Sequence, residues 1–310
     1  MENLDYRYFA PAKVNFILKI GDKNPKGLHN IVSLIRKIAI FDKISFSIGS
    51  TYSIKAVCGK IIAGGLPPSR RAAYNEFLEL NLSNENNIIV KCARLFFNKI
   101  NVKDKGLNLY IEKNIPLQAG LGGGSSDAAG VLIKLNKIFN YPLSMNELIK
   151  LALEAGSDIP FFLTGRDAIV TGSGEVIKEI PKGRLTKYYI VIIVPGFGIS
   201  TKDAYGGYDD FILTKKLNYY NIYNLNLDSF LKDNRPENDF EPFILGKYPI
   251  LKEIKDSMMD FKAKFSLLSG SGSAVFGGFT IKNAALRYFT NIKTFNFSDN
   301  IFLSSWTTTL

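Results

Sequence analysis

The sequence predicts an α+β fold in two domains. Strand-like runs rich in apolar and β-branched residues occur in the first half, at residues 9–20, 39–54 and 107–113. A glycine-rich run at 116–124 then leads into apolar residues at helical spacing, which predicts a loop ending at a helix N-terminus. Residues 181–184 interrupt the chain before a strongly apolar strand at 188–194. We therefore predict domains at 1–182 and 183–310.

The remaining elements follow from the same patterns. A chain of 310 residues with 46% hydrophobic content can bury two moderate cores. Apolar spacing predicts a helix at 148–154, and a strand pair is expected at 167–179. Glycines between two apolar runs predict a hairpin at 267–279. The stretch 205–236, rich in Tyr, Asn and Leu, has no clean period, and we interpret it as helices and loop.

The charge balance is basic. Lysine and arginine outnumber aspartate and glutamate by 39 to 28, which gives a net charge of +11. Such an excess raises the possibility of nucleic-acid, anionic-lipid or polyphosphate partners. The lysines are scattered, as at Lys99, Lys103, Lys105 and Lys113, so we interpret them as solvated surface and expect no nucleic-acid partner. A basic nucleic-acid-binding protein stays an alternative that salt-dependent retention of random DNA would test.

The cysteine and histidine content and the first residues argue against several other classes of protein. Cys58 and Cys92 lack CxxC spacing, and a single histidine excludes a zinc site built on several histidines. Free thiols in a reducing compartment are expected. Residues 1–5 contain acids and no apolar core of a signal peptide, and the longest apolar run, 188–194, is of strand length. We expect a cytoplasmic protein that does not span a membrane.

The glycine-rich run is the most informative segment. Glycines at 120, 122, 123 and 124 permit positive φ and let the main chain approach phosphate oxygens. The following helix start presents unpaired N–H groups and the positive end of its dipole. Ser125 and Ser126 add hydroxyls that could reach a phosphate or its Mg²⁺. The run matches neither a Walker A loop nor a dinucleotide fingerprint. An alternative is a flexible turn with Ser126 as N-cap and Asp127 favoured by the dipole.

Taken whole, this motif resembles a known superfamily. Residues 120–128, Gly-Leu-Gly-Gly-Gly-Ser-Ser-Asp-Ala, are similar to the central motif of the galactokinase, homoserine kinase, mevalonate kinase and phosphomevalonate kinase superfamily. They look like the version found in the 4-diphosphocytidyl-2-C-methyl-D-erythritol kinase family. Further segments extend the resemblance over essentially the full chain: 10–20, 27–31, 155–162, 238–241 and 267–276.

The resemblance implies a fold and an activity. The fold would be a two-domain small-molecule kinase, with a ribosomal-protein-S5-like N-terminal domain that binds ATP and a ferredoxin-like C-terminal domain on the substrate side. The activity would be transfer of the γ-phosphoryl group of ATP to the 2-hydroxyl of 4-diphosphocytidyl-2-C-methyl-D-erythritol, with Mg²⁺. The partners would be this small molecule and, at most, a second copy of the chain in a weak homodimer.

Two residues carry the implied chemistry. Asp158, in Ala-Gly-Ser-Asp-Ile-Pro-Phe-Phe, matches the family's catalytic aspartate and would accept the proton of the hydroxyl. Lys13, in Ala-Pro-Ala-Lys-Val-Asn, would stabilise the developing charge. Taken alone, Asp158 could be a turn residue that bonds its own main chain, and Lys13 could be a solvated lysine on an edge strand.

The resemblance also implies binding residues. The ATP-binding set is Pro116, Gly120, Leu121, Gly122, Gly123, Gly124, Ser125, Ser126 and Asn87. Ser126 would also contact Mg²⁺. Asn87 could equally be a helix cap. The substrate set is Asn15, Leu28, His29, Tyr205, Gly270, Ser271 and Gly272.

One substrate residue departs from the family pattern. The family's tyrosine before the histidine, which stacks on cytosine, is replaced by Leu28, so that aromatic contact is lost. Tyr205 falls where the family places an aromatic on the other face. His29 would read the base edge, although a lone histidine could also be structural. The change bears on cytidine affinity and not on the chemistry.

Two alternatives share the fold. Another kinase of the superfamily, acting on homoserine or mevalonate, would use the same phosphate loop. A noncatalytic ATP-binding regulator is expected to lack the lysine or the aspartate, and both are present as Lys13 and Asp158.

Overall fold

A computed structural model describes residues 6–65, 68–82, 86–218, 235–294 and 301–310. It contains two compact units, each assembled from several chain segments. The first unit comprises 1–12, 40–116 and 122–165, and the second comprises 13–39, 117–121 and 166–310. The proposed boundary at residue 183, which divides the chain into contiguous domains, stays a prediction.

Every strand predicted from the apolar patterns is present. They are β1 (Tyr6–Lys23), β2 (His29–Ile48), β3 (Ser53–Cys58), β4 (Leu107–Lys113), β5 (Ala168–Gly172), β6 (Val176–Glu179), β7 (Tyr189–Pro195), β8 (Glu237–Asn238), β9 (Phe265–Leu268), β10 (Val275–Phe279) and β11 (Ile301–Thr308). The β-rich run predicted at 39–54 covers the end of β2 and the start of β3. The pairing of β2 with β5 extends β2 back to residue 29, and a turn after Ile48 separates it from β3.

The helices are α1 (Lys60–Gly65), α2 (Pro68–Leu82), α3 (Ile88–Lys99), α4 (Gly123–Ile138), α5 (Met145–Ala155), α6 (Ile159–Leu163), α7 (Thr201–Lys215), α8 (Glu241–Lys247), α9 (Pro249–Asp260) and α10 (Lys282–Asn291). The expectation for 205–236 is met in part by α7. Residues 219–234 lie outside the described residues.

The first unit packs helices on a small sheet. In it, β4 pairs antiparallel with the end of β2 and parallel with β3. Buried apolar residues of α3, including Phe96 and Phe97, pack with α4 to form the core. The ring of Tyr8 lies against α4 at Gly130, where a Cβ atom would be 2.1 Å from Tyr8 Cδ1. These contacts fix α4, and therefore the glycine-rich segment at its start.

The second unit contains a four-stranded antiparallel sheet. Its order is β11-β7-β10-β9, and every neighbouring pair is antiparallel. Strand β7 is central and buried, because Ile190–Val194 have apolar neighbours on both faces. Helices α9 and α10 pack on this sheet. Strand β10 lies between β7 and β9, which is the strand order of a ferredoxin-like domain. The antiparallel pairing of β9 with β10 confirms the predicted hairpin.

Two further expectations concern the cysteines and membrane-spanning helices. Cys58 and Cys92 are both free thiols, and burial raises the pKa of Cys92 to about 12, so this thiol is inert at neutral pH. Among the described residues, no helix has the length and apolar character that crossing a bilayer requires.

Candidate active site

The glycine-rich run forms the start of α4. Gly120 and Gly122 adopt positive φ angles of 74° and 71°, and Gly122 is the N-cap residue. The helix begins at Gly123, so the alternative in which Ser126 caps it is wrong: Ser126 lies in the first turn and is buried. The first N–H groups of α4 therefore lack acceptors within the helix, as an anion site requires.

The glycines serve different purposes. A Cβ atom on Gly120 would lie 1.9 Å from the Ser269 carbonyl oxygen, and one on Gly123 would lie 2.9 Å from Ile115 Cγ2. The nearest atom to a Cβ on Gly124 is 3.8 Å away, so packing does not demand this glycine. Of the four glycines that permit positive φ, Gly120 and Gly122 adopt it, whereas Gly123 and Gly124 are helical. The absence of a side chain at Gly124 leaves the main chain open to a ligand.

Buried polar atoms lie beside this helix start. Within the part of the chain that the structure describes, Ser126 Oγ and Asp127 Oδ1 are buried without hydrogen-bond partners. A cavity of about 280 Å³ is lined by Asn87, Gly124 and Asp127. Buried polar atoms are normally satisfied, so these two fit a site completed by a ligand. Asn87 also caps α3, since its side chain accepts from Ile89 N at 2.8 Å.

The residues fit a nucleotide with its metal ion. Magnesium in phosphoryl-transfer sites is held largely by phosphate oxygens and water, with one or two protein ligands. The hydroxyl of Ser126 is a suitable neutral oxygen. Across the described ranges no group of three acidic, histidine or cysteine residues could hold a metal alone, so the protein offers only part of a coordination shell.

A buried ion cluster supports the first turn of α4. Lys113 Nζ pairs with Asp42, and it lies 2.7 Å from Asp127 Oδ2. The three side chains are 0%, 0% and 2% exposed. Asp42 Oδ1 also accepts from the N–H groups of Asn114 and Ile115, at 2.6 and 2.9 Å.

This cluster corrects one expectation. Lys113 was predicted to be a solvated surface lysine, but the alternation of β4 places it on the same buried face as Leu107, Leu109 and Ile111. Burial alone lowers the pKa of Lys113, but Asp127 and Asp42 outweigh that effect and raise it above its usual value. Burial raises the pKa of Asp127 to about 8, against the opposing effect of Lys113. Lys113 therefore stays charged and compensates the carboxylates.

Asp158 begins a short buried helix. Helix α5 ends at Ala155, with Gly156 in extended conformation, and α6 starts at Ile159. Pro160 lies in the first turn of α6, where proline is compatible with the start of a new helix. Asp158 is half-buried at the N-cap position, and its side chain does not make a capping hydrogen bond. Asp158 lies in the turn between α5 and α6.

In the second unit, Lys13 belongs to a buried polar chain on β1. Its Nζ donates to Asn15 Oδ1 at 2.6 Å, and Asn15 Nδ2 donates to Ser33 Oγ at 2.8 Å. Lys13 is 4% exposed, so the alternative of a solvated edge lysine is wrong. Its N–H donates to the Leu121 carbonyl at 3.0 Å. A Cβ on Gly270 would lie 3.4 Å from both Lys13 Nζ and Asn15 Oδ1.

His29 and Tyr205 lie together in the same unit. Their rings stack with centroids 5.2 Å apart and an interplanar angle of 11°. His29 Nδ1 is 2.8 Å from the Gly21 carbonyl, and Nε2 is 2.9 Å from Asp209 Oδ1. Leu28 is 55% exposed. Ser271 Oγ lies 3.3 Å from Thr201 Oγ1.

Sequence reasoning missed three residues next to these groups. Lys113 could have been found from strand alternation, as described above. Asp209 lies four residues after Tyr205 on α7, so helical spacing places both on one face. Asn238 lies within a segment of the resemblance, but its contacts with the turn after β9 have no signal in a single sequence.

Comparisons with known proteins agree with this architecture. The family described as GHMP kinases N terminal domain matches residues 87–166. A protein named 4-diphosphocytidyl-2-C-methyl-D-erythritol kinase from Thermodesulfovibrio yellowstonii is 35% identical over 294 residues, covering 90% of this chain and 93% of the relative.

Solved structures share the fold. A crystal structure of 4-(cytidine 5'-diphospho)-2C-methyl-D-erythritol kinase has a TM-score of 0.71 at 25% identity, with 98% of each chain covered. Homoserine kinase from Cytophaga hutchinsonii has a TM-score of 0.67 at 17% identity, covering 100% of this chain and 96% of that one, and indicates the fold alone. By its full-length similarity to curated relatives, the chain belongs to the 4-diphosphocytidyl-2-C-methyl-D-erythritol kinase family, within the GHMP kinases.

Proposed function

We propose that this protein transfers the γ-phosphoryl group of ATP to the 2-hydroxyl of 4-diphosphocytidyl-2-C-methyl-D-erythritol, in the non-mevalonate route to isoprenoid precursors. Family membership supports the substrate. The observation that carries the proposal is the start of α4, where Gly122 turns the chain and the first N–H groups lack helical acceptors. Phosphoryl transfer depends mainly on aligning phosphates and stabilising their charge, and such a helix start does both.

The donor side uses the start of α4. We propose that the N–H groups of Gly123 to Ser125 bind phosphate oxygens and that Gly120, Leu121 and Pro116 shape the loop. Asn87, on the cavity beside Gly124, would contact the adenosine. A bound Mg²⁺ would neutralise phosphate charge, with Ser126 Oγ among its ligands.

Two residues would act on the hydroxyl. Asp158 would orient the hydroxyl group and accept its proton as the bond to phosphorus forms. Lys13 would stabilise negative charge on the oxygen and on the transferring group. The hydrogen bond from Lys13 Nζ to Asn15 Oδ1 holds the ammonium in a fixed place, so little reorganisation is needed when charge develops.

The acceptor side would be read by residues of the second unit. His29 and Tyr205 form a stacked pair that suits a planar base, and Asp209 holds the imidazole. Gly270, Ser271 and Gly272 form the turn that lies next to Lys13. We further propose that the protein acts in the cytoplasm, as a monomer or weak homodimer, without nucleic-acid or membrane partners.

Replacing Leu28 with tyrosine should tighten substrate binding. The exposed leucine offers apolar contact, whereas tyrosine would add a stacking surface for cytosine. We expect KM for the cytidine substrate to fall about 2- to 10-fold with kcat unchanged. Leu80→Tyr on α2, where the leucine is also exposed, is the matched control. An equal KM for Leu28→Tyr and wild type would contradict a role for this position in base binding.

The experiment that tests the function is a substrate panel. ADP release is measured with ATP and Mg²⁺ while 4-diphosphocytidyl-2-C-methyl-D-erythritol, homoserine and mevalonate are offered separately. We expect turnover with the first alone. Turnover with another alcohol would keep the kinase mechanism and overturn the substrate, and a lack of turnover with all three would favour an ATP-binding regulator.

A further inference from the structure

The segment Glu237–Glu241, called the clamp segment below, connects β1 to the turn between β9 and β10. Its first two residues form β8, which pairs in parallel with β1 at Ile17 and Leu18. Asp239 Oδ2 accepts from Ile20 N at 2.9 Å, and Asp239 N donates to the Leu18 carbonyl at 2.9 Å. The clamp segment is therefore attached along the strand that carries Lys13 and Asn15.

The clamp segment is also hydrogen-bonded, through Asn238, to the end of β9 and to the turn that follows it. Its Nδ2 donates to the carbonyls of Leu268 and Gly270, both at 2.8 Å, and its Oδ1 accepts from Phe240 N at 3.0 Å. Asn238 is 5% exposed, so water cannot replace these bonds. Glu241 Oε1 accepts from Leu268 N at 2.8 Å. A single amide thus satisfies the carbonyl of the last residue of β9 and a carbonyl in the turn that follows.

That turn, Ser269–Ser273, called the glycine turn below, lies against Lys13. A Cβ on Gly270 would be 3.4 Å from Lys13 Nζ and from Asn15 Oδ1, so the main chain there is in close contact with the pair. Ser269 Oγ also donates to the Gly120 carbonyl at 2.9 Å. The orientation of the Gly270 carbonyl, set by Asn238, therefore determines how the glycine turn faces the lysine.

We propose that Asn238 is a positioning residue for the phosphorylation reaction: by holding the Leu268 and Gly270 carbonyls, it fixes the glycine turn relative to Lys13 and Asn15. This inference rests on the proposed function. In this role Asn238 would act on neither reactant directly. It acts through the turn that would contact the acceptor alcohol, so a change at Asn238 affects KM for the alcohol as well as kcat.

Asn136 provides a matched control. It is also 5% exposed, its Nδ2 donates to the Leu143 carbonyl at 2.9 Å, and its Oδ1 accepts from Leu143 N at 3.1 Å. It bridges the end of α4 to the chain that follows and has no role in the proposed site. Alanine or aspartate at either position removes a buried amide donor, so both pairs of variants should lower Tm to a similar extent.

The test compares Asn238→Ala and Asn238→Asp with Asn136→Ala and Asn136→Asp. Aspartate keeps the size and the acceptor for Phe240 N but cannot donate to two carbonyls when ionised. We expect both Asn238 variants to raise KM for the alcohol and to lower kcat/KM by about 10²-fold. The Asn136 variants should keep the wild-type KM. Because KM does not depend on the fraction of folded protein, a purely structural effect would not move it.

Different results would overturn the positioning role of Asn238 and the proposed kinase function. An active wild type with Asn238 variants that keep its KM would overturn the positioning role, as would equal KM changes in the Asn136 variants. An inactive wild type would instead overturn the proposed function, and this inference with it.

Discussion

The Asp158→Asn variant is expected to lose about 10²- to 10⁴-fold in kcat, because asparagine keeps the size of the side chain but cannot accept a proton. ATP affinity should be unchanged, since the N–H groups that we propose to bind phosphate belong to α4. Stability should change little, because asparagine keeps the size of this half-buried side chain. Turnover is measured at saturating ATP and alcohol, with ATP binding and Tm measured on the same protein.

The control for this variant is Asp256→Asn. Asp256 lies on α9 with a side chain 58% exposed and pairs with Lys252, so the same chemical change should leave kcat unaltered. Near-wild-type turnover in Asp158→Asn would show that another group accepts the proton or that the hydroxyl needs no base. Loss of ATP binding together with turnover would point to misfolding of the site.

The Lys113→Met variant is expected to lose about 3 to 5 kcal/mol of unfolding free energy. Methionine preserves much of the side-chain volume but leaves the buried carboxylates of Asp42 and Asp127 without their cation. Burial already raises the pKa of Asp127 to about 8 against the opposing effect of Lys113, so loss of the cation should raise it further. The folded variant would then keep its proton to a higher pH than the folded wild type, so the loss should grow as the pH rises through about 8 and be smaller in acid.

Urea unfolding of Lys113→Met and wild type at several pH values measures this effect. Lys252→Met is the matched control, because Lys252 is 65% exposed in an ion pair with Asp256 and its loss should cost less than about 1 kcal/mol. If Lys113→Met unfolded at the same urea concentration as wild type, Lys113 would not be needed to compensate the buried charges.

The sequence predicts elements well where local patterns match packing. Strand β4 and helix α4 follow from their apolar periods, and the β9–β10 hairpin follows from glycines between two apolar runs. The start of α4 is shifted, because Gly123 and Gly124 read as loop residues by propensity. Tertiary packing overrides that propensity: Gly123 lies against Ile115, where a side chain could not fit.

Sequence motifs suggest the candidate site residues, but they do not indicate the tertiary contacts that hold those residues in place. Motifs identify Lys13, Asp158 and the glycines, because phosphate chemistry needs those residue types in a recognisable order. The ion cluster of Lys113 joins residues 42, 113 and 127, and single-sequence patterns do not report such distant pairs. The bonds of Asn238 to the turn after β9 are likewise set by tertiary structure.

The central claim is that the γ-phosphoryl group of ATP is transferred to one hydroxyl of the cytidine diphosphate substrate. The most direct measurement is ³¹P NMR of the protein with ATP, Mg²⁺ and 4-diphosphocytidyl-2-C-methyl-D-erythritol. The account predicts a new phosphate monoester signal that grows with ADP in equal amount, carried on the tertiary 2-hydroxyl. ADP accompanied by inorganic phosphate alone, or a monoester on a different hydroxyl, would contradict it.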